Sequence, residues 1–402
     1  MSGEAAAEPE ELERFRAGLR AWLAANLPPR PDFPLPQNAL SVTTGDQLEW
    51  LRAWQRRLYE AGYVGTEWPE AYGGRGLARG HQRVVDQETA RAGAPFLVNN
   101  VALAWAGPII LHHGTEAQKR RYLPKLLACE EIWCQGFSEP EAGSDLASLQ
   151  TRARRDGDAW VIDGHKVWTS LGRFADHMIL LARTDPDAPK HAGISYFLAP
   201  MRVPGVEVRP LVKMTGEGGF NQVLFHGARI PADTLLGREG EGWKLAMATL
   251  SFERGASEGS GGASDMGGGS VDDLLALARR LGPAVTRDPV RRDRIARFVV
   301  EATALRLDAE RARVPGLVAD RPAALPLMAK LAASEHAQRL ADFACELQGP
   351  AGTLARGDPE ALEDGRWPRA YLNSFALTIA GGTSEILRNV LGEKVLGLPR
   401  SR

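Results

Sequence analysis

A glutamate lies on what the sequence predicts to be the apolar stripe of a helix. In GWKLAMATLSFERG, four residues are spaced i, i+3, i+7 and i+10 along one helical face: Trp243, Ala246, Leu250 and Glu253. Burial on such a face raises the pKa of a carboxyl group, which suits a general base. The alternative is an ion pair with a neighbouring arginine that stabilises the helix. The spacing alone leaves both interpretations open.

Motifs of other common chemistries are missing from the sequence. No GxGxxG follows a predicted strand and there is no P-loop, so the usual glycine-rich nucleotide turns are not indicated. The eight histidines are scattered, and His112–His113 has no companions at metal-ligand spacing, so we predict no metal. The three cysteines, Cys129, Cys134 and Cys345, form no CxxC pair and are interpreted as free thiols in a reducing cytoplasm.

The composition excludes several classes of partner. Of 402 residues, 44% are hydrophobic and 25% are charged, and the net charge is −1. This balance supports a sizeable core in two or three packed units and favours neither nucleic acid nor an anionic membrane as a partner. No apolar run approaches the length of a membrane span, and the acidic N-terminus does not resemble a signal peptide. We therefore expect a cytoplasmic protein.

The elements that must position these residues form three blocks. Helical periodicity marks ELERFRAGLRAWLAANLP and DQLEWLRAWQRRLYEAG near the start. Short β-branched and apolar segments then predict strands at 159–170, 177–183, 194–199, 206–211 and 221–230. Within the first of them, Asp163–Gly164 predicts a hairpin turn. Helical periodicity returns from Gly242 onward. The predicted domains are 1–131, 132–239 and 240–402.

Two details of the last block are predicted from local signals. Ser270 and Asp273 fit a capping box, and Gly282–Pro283 marks the end of the helix that follows. The segment ASEGSGGASDMGGGS (256–270) is too rich in glycine and serine for a helix interior. We expect a flexible loop there and keep a substrate lid as the alternative.

Longer motifs in a fixed order give the chain a resemblance to a known family. In chain order they are GYVGTEWPEAYGGRGL (62–77), HHGTEAQKRRYLPKL (112–126), QGFSEPEAGSD (135–145), GHKVWTSLG (164–172), PGVEVRPLVKMTGEGGFNQVLFHGARIP (204–231) and TIAGGTSEIL (378–387). Each resembles the matching segment of the acyl-CoA dehydrogenases, and together they cover nearly the whole chain. The resemblance implies a mainly α fold with a central β domain: an N-terminal helical domain, a β-barrel-like middle domain and a C-terminal four-helix bundle.

The same resemblance implies non-covalent FAD and assigns residues to it. It places Phe137, Ser138, Trp168, Thr169 and Ser170 at the isoalloxazine, Gly143 and Ser144 near the pyrophosphate or the CoA chain, and Thr383 and Glu385 where the bundle touches FAD. Ser144 and Arg254 are the implied substrate contacts. The competing interpretations are that Ser144–Asp145 only closes a turn and that Trp168 is a core residue.

The implied reaction is α,β-dehydrogenation of an acyl-CoA thioester, in which a carboxylate takes the α-proton and the flavin takes the β-hydride. Many family members carry this carboxylate where Gly381 stands here. A minority, including enzymes for isovaleryl and long-chain substrates, place it directly before the arginine that matches Arg254. That position is Glu253. Gly381 keeps its backbone N–H, which in the family helps to polarise the thioester carbonyl.

Two departures from the family leave alternatives open. In the family, an arginine followed closely by Phe-Gly often reaches the FAD of a neighbouring subunit. The matching segment here, LARRLG (277–282), offers Arg279 or Arg280 for this role but lacks the aromatic residue. The second departure is ELQGPAG (346–352), in which Pro350 replaces a glycine. The rivals are a monooxygenase or oxidase of the same fold and a non-catalytic partner subunit. The resemblance further implies electron-transfer flavoprotein as the acceptor. It also implies a homodimer or homotetramer, or a heteromer with a related chain, with DFACELQG (342–349) at the subunit interface. It does not name the acyl group.

Overall fold

The computed structural model describes residues 9–36, 38–256, 269–312, 314, 317 and 324–400. The side chains of residues 40 and 253–256 lie outside this description, and so does most of the glycine-rich segment 256–270. Contacts divide the chain into two compact units, Met1–Glu253 and Arg254–Arg402. The three-domain boundaries expected from the sequence stay a prediction.

The first unit begins with helices that bury apolar stripes against one another. They are α1 (Pro9–Asn26), α2 (Gly45–Glu60), α3 (His81–Arg91), α4 (Gly107–His113) and α5 (Glu116–Leu127). Helix α2 starts at Thr44 and α5 at Thr115, and each threonine forms a reciprocal capping box with a glutamine three residues later. A π-helical turn, Ala102–Ala106, leads into α4.

A mixed sheet of eight strands follows in the same unit. The strands are β1 (Trp133–Gly136), β2 (Arg152–Asp156), β3 (Ala159–Ser170), β4 (His177–Arg183), β5 (Ile194–Pro200), β6 (Val206–Leu211), β7 (Phe220–Pro231) and β8 (Leu235–Leu236). Their order is β6-β7-β3-β2-β4-β5-β8, and β1 pairs with β4 in parallel. Strands β4 and β5 are buried along almost their whole length and form the centre of the core.

The sequence predicts the later strands closely and misjudges the earlier ones. The hairpin expected at Asp163–Gly164 is wrong, because β3 runs unbroken through this pair and only its register with β7 shifts there. Gly164 allows close approach instead: a Cβ on it would lie 2.6 Å from the Cα of Thr151. The true turn lies at Gly157 (φ 61°), between β2 and β3.

Helix α6 (Gly242–Ala256) follows the sheet. The second unit is built from the long helices α7 (Val271–Leu281), α9 (Pro289–Arg311), α10 (Ala324–Leu347) and α11 (Arg366–Ile379), with the short helices α8 (Pro283–Thr286) and α12 (Ser384–Val390). Ser270 and Asp273 form the predicted capping box of α7, and Gly282 ends that helix as expected.

The core of the second unit includes residues of the segment DFACELQG. Phe343, Ala344 and Leu347 belong to the segment DFACELQG and are all buried inside this unit. Their packing partners include Leu274 on α7 and Trp367 on α11. These three side chains fill the interior of their own bundle, and the contribution of the helix DFACELQG to a subunit interface stays a prediction.

The order of elements confirms the mainly α fold with a central β domain. No helix in the described part of the chain is both long and apolar enough to cross a membrane.

Candidate active site

The segment that follows β1 lies beside the end of β3. Phe137 is buried and packs edge-on against Tyr196, with ring centroids 5.9 Å apart. The carbonyl oxygen of Ser138 accepts a hydrogen bond from the backbone N–H of Val167 at 3.0 Å. Two of the predicted flavin contacts, Phe137 and Ser138, thus lie next to β3, which carries the other three. These are Trp168, Thr169 and Ser170.

Trp168 stands out from β3 in an unusual conformation. Its φ is 63°, in the left-handed region that costs a non-glycine residue about 1–2 kcal/mol. The register between β3 and β7 shifts between Lys166 and Thr169, so the strand bulges at this residue. Its side chain is 60% exposed, with Phe220 edge-on at 5.8 Å. This exposure contradicts the alternative that Trp168 is a core residue, while its contact with the flavin stays a prediction. Strain of this kind is common at functional sites.

Buried polar atoms beside Trp168 are left without partners. Thr169 is fully buried, and its Oγ1 finds no hydrogen-bond partner among the described residues. Asn221, which faces Thr169 in the ladder, donates to the Thr169 carbonyl at 2.9 Å, while its Oδ1 is likewise without a partner in the described part of the chain. Buried polar atoms normally form hydrogen bonds. An exposed indole next to such atoms fits a flat ring with polar edges, and therefore fits the isoalloxazine of FAD.

Gly143 and Ser144 lie in an open loop. Glu139 and Ala142 exchange two backbone hydrogen bonds of 3.0 and 3.1 Å, and this turn leads directly to Gly143. Both Gly143 and Ser144 are exposed, and a Cβ added to Gly143 would meet nothing within 4 Å. The loop is thus accessible to a large anionic ligand. Its role in cofactor or CoA binding stays a prediction.

A buried ion pair lies beneath the two segments that carry the flavin contacts. Lys166 is fully buried, and its Nζ donates to Glu139 Oε1 at 2.8 Å and to the Phe137 carbonyl at 3.0 Å. Burial lowers the pKa of Lys166, and the attraction of Glu139 opposes this shift. Burial raises the pKa of Glu139, but Lys166 and the neighbouring donors more than offset it, so that this pKa lies below its ordinary value. Sequence reasoning missed this pair, although a lysine inside an apolar strand was a visible signal.

Helix α6 presents a buried stripe that leads toward position 253. Ala246 and Thr249 are fully buried, and the Thr249 hydroxyl lies 3.1 Å from the Tyr196 hydroxyl. Phe252 stacks on His112 with ring centroids 5.9 Å apart. Helical spacing puts positions 246, 249 and 253 on one face. The side chains of Glu253 and Arg254 lie outside the described residues, so the assignments of base and substrate contact stay predictions.

The turn at Gly381 lies in the second unit and depends on glycine. Gly381 has φ 67° and Gly382 has φ 103°, both in the region that side-chain-bearing residues avoid. The Nζ of Lys330 on α10 donates to the Gly382 carbonyl at 2.6 Å and fixes the end of the turn. A residue with a carboxylate at position 381 would be strained in this conformation.

Thr383 and Glu385 follow this turn at the start of α12. The Thr383 hydroxyl accepts a hydrogen bond from the Ile386 N–H at 3.2 Å and caps the helix. Hydrogen bonds from its own backbone N–H and from Thr383 lower the pKa of Glu385. Both residues line a depression of about 360 Å³, together with side chains from α10 and α11. The structure therefore groups these two residues with each other, within the second unit.

The helix ends of the second unit hold two further candidates. Arg279 is exposed in the last turn of α7, and no ion pair involving it is seen in the described part of the chain, whereas Arg280 pairs with Glu363 at 3.4 Å. Arg279 is therefore the better placed of the two for a ligand. Gln348 was not predicted: it is buried, and its Oε1 has no hydrogen-bond partner among the described residues.

Comparisons with known proteins agree over the whole length of the chain. The acyl-CoA dehydrogenase N-terminal, middle and C-terminal domains match residues 9–130, 134–227 and 240–396. Acyl-CoA dehydrogenase IpdE1 of Mycobacterium tuberculosis is 42% identical over 97% of this chain and 99% of its own length. The protein of the same name from Mycolicibacterium smegmatis is 41% identical over 97% of this chain and 98% of its own.

A solved structure, the Tcur3481-Tcur3483 steroid ACAD, is similar with a TM-score of 0.80 and 32% identity over 98% of this chain and 99% of that one. The match extends through both units and includes every segment named above. The chain belongs to the acyl-CoA dehydrogenase family.

Proposed function

We propose that this FAD-dependent acyl-CoA dehydrogenase uses Glu253 as its base and acts on a bulky, steroid-derived acyl-CoA. Family membership supplies the reaction class: oxidation of an acyl-CoA thioester to the α,β-unsaturated product. The observation that carries the choice of base is the backbone at Gly381. Gly381 has no side chain, and its left-handed φ of 67° would strain a glutamate at this position, so the base comes from another element.

The position of Glu253 on α6 supports this choice. The helix extends through residue 253, and its register continues a face that is buried at Ala246 and Thr249. A carboxylate in such surroundings is desolvated, which raises its pKa and strengthens it as a base near neutral pH. Glu253 then removes the α-proton, while Gly381 offers its backbone N–H to the thioester oxygen.

Residues of the sheet hold the cofactor in this proposal. Trp168 packs on the ring system, and Thr169, Ser170 and Ser138 supply polar contacts at its edge. FAD, when bound, is the acceptor of the β-hydride. Gly143 and Ser144 lie in the open loop where a phosphate of FAD or the CoA chain can approach. From the second unit, Thr383 and Glu385 add cofactor contacts, and Arg279 offers a guanidinium group.

The substrate class rests on similarity. The Tcur3481-Tcur3483 protein is described as a steroid acyl-CoA dehydrogenase and is 32% identical to this chain over almost its full length. We extend that substrate class to this chain. A polycyclic acyl group needs a wider pocket than a straight chain does. We therefore expect the rate of flavin reduction to distinguish polycyclic from straight-chain acyl-CoA substrates.

Assembly with a second, related chain is also part of the proposal. The Tcur3481-Tcur3483 protein carries two chain names, and the similar ChsE4-ChsE5 structure from Mycobacterium tuberculosis, 29% identical with a TM-score of 0.72, is a complex. The missing aromatic residue after Arg280 supports a cofactor site that a different chain completes. Homodimer and homotetramer are the alternatives. Electron-transfer flavoprotein is the proposed acceptor, and the cytoplasm is the proposed location.

Anaerobic stopped-flow reduction of the flavin tests the base and the substrate together. We expect steroid-derived acyl-CoA to reduce the wild-type flavin faster than isovaleryl-CoA or a straight-chain acyl-CoA does. Glu253→Gln should retain FAD and bind substrate while slowing reduction by on the order of 100-fold or more. Glu239→Gln removes an exposed carboxylate just before the same helix and serves as the matched control.

Three outcomes would contradict parts of the proposal. Reduction of Glu253→Gln at the wild-type rate would exclude Glu253 as the base. Faster reduction by straight-chain substrates would exclude the steroid class. Rapid reoxidation of the reduced enzyme by air would favour the oxidase or monooxygenase, and a purified protein without FAD would favour the non-catalytic partner subunit.

A further inference from the structure

A fully buried lysine in the sheet has no part in the proposed proton or hydride transfers. Lys166 is 0% exposed, and lysine is almost never buried to this degree without a partner. Taking an ammonium group out of water costs several kcal/mol, and removing its partner would leave an uncompensated charge. Such a residue is retained only if its contacts hold something in place.

The contacts of Lys166 converge on one short segment. Its Nζ donates to the Phe137 carbonyl at 3.0 Å and to Glu139 Oε1 at 2.8 Å. The Glu139 carboxylate in turn accepts the backbone N–H groups of Gln150 at 2.6 Å and Thr151 at 2.9 Å. The ion pair thereby ties the segment after β1 to the start of β2.

The same lysine sits at the edge of the bulge in β3. The register shift lies between Lys166 and Thr169, and the strained Trp168 is two residues from the buried ammonium. Val167, the residue between them, donates its N–H to the Ser138 carbonyl at 3.0 Å. The two sides of the expected flavin surface, Phe137–Ser138 and Trp168–Thr169, are therefore joined through consecutive contacts of Lys166 and Val167.

We propose that Lys166 and Glu139 are positioning residues that hold the Phe137–Ser138 segment and the Trp168 bulge in the arrangement that receives FAD. The pair acts through these residues and does not itself touch the cofactor or the substrate. The proposal rests on FAD binding by the sheet and is independent of which residue is the base. Loss of the pair should therefore change the flavin itself, including its rate of release and its absorption spectrum.

A double variant separates this role from simple stabilisation of the fold. Lys166→Met alone leaves Glu139 buried and uncompensated, which endangers folding. Lys166→Met with Glu139→Gln removes both charges and keeps similar volumes. The glutamine oxygen can still accept one of the two N–H groups of Gln150 and Thr151, which bond to different oxygens of Glu139. Replacing a buried ion pair by uncharged groups is often neutral for stability. Lys125→Met is the matched control, because Lys125 pairs with Glu131 at a similar 3.2 Å but is 43% exposed.

The measurements use the purified holoenzyme well below its unfolding temperature. For the double variant we expect FAD release to be faster by about 10- to 100-fold, which corresponds to a loss of about 1.4–2.8 kcal/mol in contacts with the flavin. We also expect a shifted visible flavin spectrum and a lower kcat with KM changed less. Lys125→Met should match the wild type in all three.

Two outcomes would overturn the proposal. If the double variant releases FAD at the wild-type rate, with an unchanged spectrum and kcat, the pair only stabilises the sheet. If the double variant does not fold while Lys125→Met does, the pair is a general requirement of the fold, and a specific positioning role is rejected. Failure of Glu253→Gln to slow reduction would leave these measurements unaffected.

Discussion

Replacement of Trp168 by alanine should weaken FAD binding while leaving the fold nearly unchanged. Trp168 is 60% exposed, so its removal deletes little buried surface from the protein itself. A tryptophan presents up to ~250 Å² of surface, and about 150 Å² of it is therefore available to a ligand. At ~25 cal/mol per Å², covering that area with a flavin ring stabilises the complex by at most ~4 kcal/mol.

Only part of this ceiling appears as affinity, because binding also orders groups and desolvates polar atoms. We expect a loss of about 1.5–3 kcal/mol, which corresponds to an FAD dissociation constant raised by roughly 10- to 100-fold. The ~100 Å² of Trp168 that the protein itself covers is worth about 2.5 kcal/mol at the same rate, so the cost to the free energy of unfolding without FAD should stay below that of a fully buried tryptophan.

Trp160 provides the matched control, since it lies on the same strand but is only 2% exposed. Trp160→Ala should destabilise the protein by about 3–5 kcal/mol, as buried tryptophans usually do. Isothermal titration with FAD and urea unfolding of the FAD-free protein measure the two quantities separately. Wild-type FAD affinity in Trp168→Ala would refute the reasoning. So would a loss of stability equal to that of Trp160→Ala, because Trp168 would then be a core residue.

Two further predictions concern the backbone and acid stability. Gly381→Ala should lower the free energy of unfolding by about 1–2 kcal/mol, because φ is 67° at this position. Gly45→Ala should be nearly neutral, because Gly45 has no positive φ and a Cβ added there would meet open space. Urea unfolding of both variants measures the two effects, and equal effects would contradict the prediction. Hydrogen bonds from Arg20 and Arg16 lower the pKa of Glu88 to about 2 from an ordinary 4.5, so Glu88 contributes stability above pH ~4.5 that is lost as the pH falls toward about 2. The stability advantage of the wild type over Glu88→Gln should shrink across that window, and a constant difference in urea midpoints would contradict the assignment.

The sequence predicts elements well where burial and periodicity agree. Strands β4 and β6 match their predicted ranges 177–183 and 206–211, because apolar residues fill β4 and alternate with charged residues at the start of β6. Strand β2, with the sequence RARRD, was missed because only Ala153 among its residues is buried. The Asp163–Gly164 pair predicted a turn, yet close packing against Thr151 requires the glycine within a continuous strand. Tertiary contacts overrode a local signal there.

The candidate site was predictable in its residues but not in its conformation. The motif GHKVWTSLG marks Trp168 through its resemblance, but nothing in the letters reveals a left-handed backbone or an exposed indole. Lys166 in the same motif is visible as a charge inside a predicted strand, but only the fold shows that Glu139 Oε1 lies 2.8 Å from its Nζ. Long-range pairings of this kind depend on strand register, which a single sequence specifies only weakly.

A strained residue in the first unit and a glycine turn in the second each have a lysine nearby. Lys166 donates to the Phe137 carbonyl beside the Trp168 bulge, and Lys330 donates to the Gly382 carbonyl at the Gly381 turn. The left-handed backbone of Trp168 costs about 1–2 kcal/mol, whereas glycine adopts the conformation of the Gly381 turn without that cost. Hydrogen bonds from a charged donor are roughly twice as strong as neutral ones. Lys166 therefore helps to hold the exposed indole in a conformation that its backbone alone disfavours, whereas Lys330 fixes the end of a turn that only glycine forms readily.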